Sequence, residues 1–319
     1  MKNILITGGL GYIGGRLAAY FKSSRPDANV IIADRKMNKP LPGWAKGFKF
    51  VPIDVTDSAS LKKSLKGVDI IIHLAAVNEI DSLKNPELAL EINTAGTYKL
   101  LNQAKINNVK RFIYFSTFHV YGDTSDKIIT ERTPTRPFHS YAITHRAAED
   151  MVAYFERYHG IKGLIFRLSN GFGYPMDKDV NRWTLIFNDL CRQSVTTGRI
   201  VLNSSGRQYR NFISLHDVAR AVDYFIFKVP DKWGDGLYNV GSEKNFSILD
   251  VAKEIAEVYA KKYNKKGIKI ETKDSGKKEV GAKLFIYSID KIKKTGFRLK
   301  GNMKEEIIKT MDLCEQFIK

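Results

Sequence analysis

The chain has 319 residues, of which 43% are hydrophobic, and a formal charge of +18. That apolar share excludes a disordered chain, and the length exceeds what one compact unit usually holds, so a main domain with a smaller appended one is expected. Two cysteines, Cys191 and Cys314, form no CxxC or metal-ligand pattern, which points to a reduced, cytoplasmic protein without a metal site.

The opening MKNILITGG carries one lysine and an apolar run broken at Gly8, which is not a signal-peptide core. No stretch approaches about 18 uninterrupted apolar residues, so no membrane span is expected. The lysines are scattered, with a loose concentration from Lys261 to Lys304. They read first as solvated surface and second as a field that gathers an anionic small molecule. Nucleic acid is not expected, because no basic helix or aromatic platform stands out.

In chain order, Asn3–Thr7 reads as a strand and Tyr12–Lys22 as a helix. Asn29–Ala33, Phe48–Val51 and Asp69–His73 read as further strands. A helical pattern follows Pro86 and runs to about Asn107. Arg111–Ser116 is the next strand, Tyr141–His159 the next helix, and Gly163–Arg167 closes the series. Apolar runs separated by helices describe a parallel sheet buried on both faces, and right-handed crossovers make it a doubly wound α/β sheet. After Leu168 the rhythm changes. Glycine, asparagine and proline gather in Ser169–Asp179, a helix is expected over Arg182–Gln193, and short elements follow. Residues 1–168 are therefore expected to form the dinucleotide-binding domain, with some later segments returning to it. Residues 169–319 are expected to be mainly a smaller α+β substrate-binding domain.

The first strand runs into Thr7-Gly8-Gly9-Leu10-Gly11-Tyr12-Ile13-Gly14, and a helix follows. Glycine serves a tight turn, a close approach of backbone to a pyrophosphate, and close packing of helix on strand. The helix N-terminus supplies free N–H groups for the anion. Gly8, Gly11, Tyr12, Ile13 and Gly14 are thus expected at the phosphates. Asp34 follows Gly14 by 20 positions, where a carboxylate accepts hydrogen bonds from ribose hydroxyls and repels a 2′-phosphate. NAD is favoured on this ground, while Arg35 leaves NADP open.

Further pieces stand in order: HLAA (73–76), NTAGT (93–97), STFHVYG (116–122), Tyr141, RLSNGFG (167–173), RNFISLHDV (210–218) and YNVGS (238–242). With TGGLGYIG and Asp54, they make the chain resemble the extended short-chain dehydrogenase/reductase family, the NAD-dependent epimerase/dehydratase group that contains UDP-galactose 4-epimerase. The resemblance covers nearly the whole length. It implies a Rossmann fold, NAD, a nucleotide-diphosphate sugar as substrate, and a homodimer through two long helices per subunit. It implies that Thr117 hydrogen-bonds the reacting sugar oxygen and that Tyr141 takes or gives the proton there. It implies cofactor contacts from Asp54 and Val55 at the adenine, Leu74, Ala75 and Ala76 over the pyrophosphate and ribose, and Asn93 and Ser116 near the site. It directs Asn170 and Arg210 at the substrate's diphosphate, and leaves Lys277 and Lys278 where the family has another arginine.

One departure matters. The family pattern is YxxxK, and position 145 here is histidine. The family's lysine bonds the nicotinamide ribose and lowers the tyrosine pKa, which is about 10 when unperturbed. His145 is expected at the cofactor and in the chemistry, one turn from Tyr141, but charged only when protonated. A working enzyme with altered pH dependence, a slow enzyme and a cofactor-binding protein without chemistry all stay open. Epimerisation of the sugar through a transient keto intermediate leads. A keto-reductase using NAD(P)H and a non-catalytic dinucleotide sensor are the alternatives. A 4,6-dehydratase is disfavoured, because Phe118 and His119 stand where those enzymes carry an acidic pair.

Overall fold

The computed structural model describes residues 1–35, 40–230, 232–273 and 284–318. The chain divides into two compact units. One comprises Met1–Ser125, Glu131–Leu168 and Val222–Val240; the other comprises Asp126–Thr130, Ser169–Ala221 and Gly241–Lys319.

In the first unit seven parallel strands form one sheet: β1 (Lys2–Thr7), β2 (Ala28–Asp34), β3 (Lys49–Pro52), β4 (Ile70–His73), β5 (Arg111–Thr117), β6 (Lys162–Leu168) and β7 (Leu237–Val240), in the order β7-β6-β5-β4-β1-β2-β3. The helices are α1 (Tyr12–Ser24), α2 (Ser58–Ser64), α3 (Glu79–Lys84), α4 (Pro86–Ala89), α5 (Thr97–Ile106) and α6 (Ser140–His159). Every residue of β4 is buried, as its run Ile70-Ile71-Ile72-His73 requires of a strand covered on both faces. The strand order reverses between β1 and β4, and Thr7 pairs with His73 at the carboxyl ends of those two strands. In open α/β sheets that crevice is where ligands bind.

Two helical expectations shift. The run after Pro86 is not uniform α-helix: the π-helical segment Leu90–Gly96 separates α4 from α5. The wider turn carries Asn93 and precedes Thr97, both buried, and such segments gather at functional sites. The helix expected over Arg182–Gln193 spans Ile186–Thr197 instead. Arg182 sits in the preceding turns, where Trp183 Nε1 donates to the Lys178 carbonyl, and the helix runs on until Gly198 ends it in the left-handed conformation.

The second unit has a three-stranded sheet in the order Asn245–Ser247, Tyr209–Ser214, Asn170–Phe172, and two small parallel pairs. Helices Ile186–Thr197, Ile248–Tyr263 and Met303–Cys314 close its core around Phe187, Leu190, Ile255, Val258, Ile307 and Met311. Cys191 and Cys314 are buried there as free thiols. Among the described residues no helix is long and apolar enough to cross a membrane.

Candidate functional site

The glycine loop leaves β1 at the reversal point. Gly8 has φ +65, and a Cβ there would lie 2.9 Å from the carbonyl carbon of Leu74. A Cβ on Gly14 would lie 2.2 Å from the Gly8 carbonyl oxygen. The first position needs glycine for its backbone angle, the second for contact between helix and loop. Gly11 is the N-cap of α1, with no side-chain cap and no acidic residue in the first turn. That leaves an amide end suited to an anion, with Tyr12 buried and Ile13 half-buried behind it. Asp34 ends β2 and accepts from the Leu10 N–H at 3.1 Å and from the Arg35 N–H at 2.9 Å. The carboxylate therefore ties the loop to the second strand, while the Arg35 side chain is exposed. A left-handed glycine loop, an uncapped helix end and a strand-end carboxylate fit a dinucleotide.

At the reversal point a chain of hydrogen bonds locks the backbone. The Leu74 and Ala75 N–H groups reach Thr7 Oγ1 at 3.2 and 3.4 Å. Thr7 Oγ1 lies 2.7 Å from His73 Nδ1, His73 Nε2 lies 3.0 Å from Thr97 Oγ1, and Thr97 donates to the Asn93 carbonyl at 2.6 Å. Since Thr97 gives its hydrogen to that carbonyl, His73 Nε2 donates to Thr97 and Nδ1 accepts from Thr7. Burial, with the His145 charge in addition, pulls the His73 pKa down to about 3. The Asn93 side chain is likewise committed: Oδ1 accepts from Val77 N–H at 2.7 Å and Nδ2 donates to Thr144 Oγ1 at 3.0 Å. Asp54 accepts from both the N–H and hydroxyl of Thr56, which holds its carboxyl below the usual range, and Val55 is buried beside it. Ala75 is half-buried and Ala76 exposed.

Thr117 ends β5, buried, and its hydroxyl caps the short turn Phe118–Tyr121 by accepting from His119 N–H at 3.2 Å. Tyr141 is half-buried in the first turn of α6. Its ring centroid lies 4.2 Å from that of His145, 6.3 Å from His139 and 6.4 Å from His119. Tyr141 and His145 thus share a face, as their spacing implies. His145 is uncharged near neutrality, because burial pulls its pKa down to about 4, so it does not supply the charge of the family's lysine. Ser116 precedes Thr117 on β5 and is buried. Its hydroxyl donates to Glu149 Oε1 at 2.5 Å, so this side chain serves α6.

Sequence reasoning passed over Glu149 and Arg167 as a pair, and His119 and His139 both stand beside the phenol. His139 is the N-cap of α6, its Nδ1 accepting from Ala142 N–H at 3.3 Å. A histidine just before the first helical residue was the available signal. Among the described residues no group of three or more His, Cys, Asp or Glu side chains is placed to hold a metal ion.

In the second unit Asn170 donates to the Asn211 carbonyl at 2.9 Å. Arg210 is half-buried and donates to the Tyr209 carbonyl at 3.0 Å. Burial lowers its pKa, and no described carboxylate pairs with it, so it is a cation with its fork available to an anion. Lys277 and Lys278 lie outside the described residues.

Comparison with known proteins adds what the geometry lacks. The dTDP-D-glucose 4,6-dehydratase of Homo sapiens is 28% identical over 324 residues, covering 98% of this chain and 89% of the relative. The solved UDP-N-acetylglucosamine 4-epimerase of Methanobrevibacter ruminantium has a TM-score of 0.82 at 24% identity, covering 99% of each chain. The UDP-glucose 4-epimerase of Thermus thermophilus, solved with NAD, has a TM-score of 0.79 at 22% identity, covering 98% of this chain and 99% of that one. The family model described as "NAD dependent epimerase/dehydratase family" matches residues 4–241, which is most of the chain. The chain therefore belongs to the NAD dependent epimerase/dehydratase family, an enzyme family with NAD as its cofactor.

Proposed function

We propose that this chain epimerises a nucleotide-diphosphate sugar through a transient keto intermediate. The observation that carries the reading is the set of proton-transfer groups around Tyr141. The phenol has imidazoles as neighbours, and Phe118 and His119 follow Thr117 where an acidic pair would be needed to expel water. Epimerisation needs one acid/base at the reacting oxygen and a hydride carrier, and no second acid for a leaving group.

Tyr141 removes the proton from the hydroxyl of the reacting carbon and returns it after the keto sugar has turned over. Thr117 orients that oxygen. Arg210 and Asn170 hold the diphosphate, the arginine through its bidentate fork. Bound NAD supplies the reversible hydride acceptor. Gly8, Gly11, Tyr12, Ile13 and Gly14 take its phosphates; Asp34 takes the adenosine ribose; Asp54 and Val55 take the adenine. Leu74, Ala75, Ala76, Asn93 and the Ser116 backbone flank it. The likeness to a 4,6-dehydratase supports dehydration as the second reading, against which Phe118 and His119 stand.

Denaturing the purified protein and identifying the released nucleotide by mass tests the reading. Stoichiometric NAD carried through purification is expected of an enzyme that returns its own hydride. An empty site that prefers NADPH on titration points instead to the reductase.

A further inference from the structure

A carbonyl oxygen can only accept a hydrogen bond. His145 Nδ1 lies 3.0 Å from the Tyr141 carbonyl, so Nδ1 carries the hydrogen. A neutral imidazole has one such hydrogen, which leaves Nε2 as a lone-pair acceptor. The ring is neutral near pH 7, because burial pulls its pKa to about 4 and outweighs the hydrogen bond to the Tyr141 carbonyl, which raises it. Nε2 makes no hydrogen bond with any described residue.

A second, independent observation concerns Tyr114 on β5. Its hydroxyl is buried and has no hydrogen-bond partner. The ring lies 6.0 Å from His145 and 5.9 Å from His73, centroid to centroid. His73 cannot serve it, since both of its ring nitrogens are engaged with Thr7 and Thr97. Burial first, then the Glu149 and Tyr141 charges, push the Tyr114 phenol well above its ordinary pKa, so it keeps its proton and remains a donor. A buried donor without an acceptor is unfavourable, and native proteins rarely leave one without a reason. The family's lysine offers donors only. This chain offers one acceptor and one donor, both uncharged, and a hydroxyl group needs one of each.

We propose that His145 and Tyr114 form a neutral acceptor–donor pair for one hydroxyl of the nicotinamide ribose. Position 145 then contributes hydrogen-bond direction where the family's lysine contributes charge. The proposal rests on NAD binding beside Tyr141 as read above, and it holds whichever sugar reacts.

Two measurements that need no sugar test it. Nitrogen-15 NMR of labelled histidines near pH 7 is expected to show His145 as the neutral Nδ1–H tautomer. An Nε2–H tautomer or an imidazolium overturns the proposal. In calorimetric titration of protein stripped of bound nucleotide, NAD affinity is expected to weaken about tenfold for Tyr114→Phe and for His145→Phe, the loss of about one hydrogen bond each. Tyr114→Phe keeps the packing ring and removes an unpaired buried hydroxyl, so it is expected to melt no lower than the parent. Unchanged NAD affinity in Tyr114→Phe overturns the proposal. A parent protein that binds NAD in this way and turns over no nucleotide sugar leaves the proposal standing while removing the epimerase reading.

Discussion

Glu149 on α6 holds the Arg167 guanidinium of β6 with both carboxylate oxygens, Oε1 to Nε at 3.0 Å and Oε2 to Nη2 at 2.7 Å, and both side chains are buried. Burial alone would lower the Arg167 pKa; the Glu149 hydrogen bonds and charge outweigh it and raise the value. The same Oε1 accepts from Ser116, the residue before Thr117. Glu149 thus fastens α6, which carries Tyr141, to β6 through Arg167 and to β5, the strand that ends at Thr117, through Ser116.

Removing one partner leaves the other charge buried. Glu149→Gln or Arg167→Met is expected to destabilise the fold by about 3–5 kcal/mol. Urea unfolding checks this, and a loss below about 1 kcal/mol contradicts the pair's role.

His73 and His145 predict how stability depends on pH. Burial holds their folded pKa values near 3 and 4, below the ordinary 6.5. Between those values and 6.5 the unfolded chain binds protons that the folded chain does not. Stability is therefore full above about pH 6.5 and falls as pH drops toward 4, by up to about 1.4 kcal/mol per pH unit per histidine. Denaturant midpoints across that window check the sign. His145→Gln is expected to flatten the slope by one histidine's share.

Asp34 is expected to set the cofactor preference. Its carboxylate faces the loop N–H of Leu10, and Arg35 is the exposed neighbour able to meet a phosphate. Asp34→Ala is expected to weaken NAD about tenfold and to narrow the gap to NADP. Titration with both nucleotides measures it, and an unchanged ratio removes Asp34 from that role.

A homodimer is a further proposal. Leu90, Tyr98, Ile143, Tyr154 and Tyr158 are exposed on the π segment, α5 and α6, an apolar surface of the kind that marks an interface. Light scattering is expected to report a dimer, and Tyr154→Glu with Tyr158→Glu is expected to yield the monomer. A monomeric parent protein contradicts it.

The strands were legible because apolar runs such as Ile70-Ile71-Ile72 have few alternatives once both faces are covered. The glycine loop was legible because φ at Gly8 and the approach of Gly14 to the Gly8 carbonyl exclude other residues. The π segment was not, since apolar periodicity does not distinguish a widened turn from α-helix. The start of the helix at Ile186 was missed because Trp183 draws the chain into turns through a bond to the Lys178 carbonyl. At the site, the i,i+4 spacing brought Tyr141 and His145 together. The tautomer and neutrality of His145 depend on burial and on one carbonyl, and no spacing rule carries that information. The Glu149–Arg167 pair was invisible for the same reason: it joins a helix and a strand by tertiary packing.

The central claim is an epimerisation in which one carbon loses and regains the same hydride. Incubating the protein with a panel of UDP-sugars deuterated at the reacting carbon, and reading product mass and proton NMR, tests it most directly. The account predicts a product of unchanged mass, inverted at that carbon, with its deuterium retained, and no such product from Tyr141→Phe. A product lighter by one water, or turnover only when NADH or NADPH is added, contradicts it.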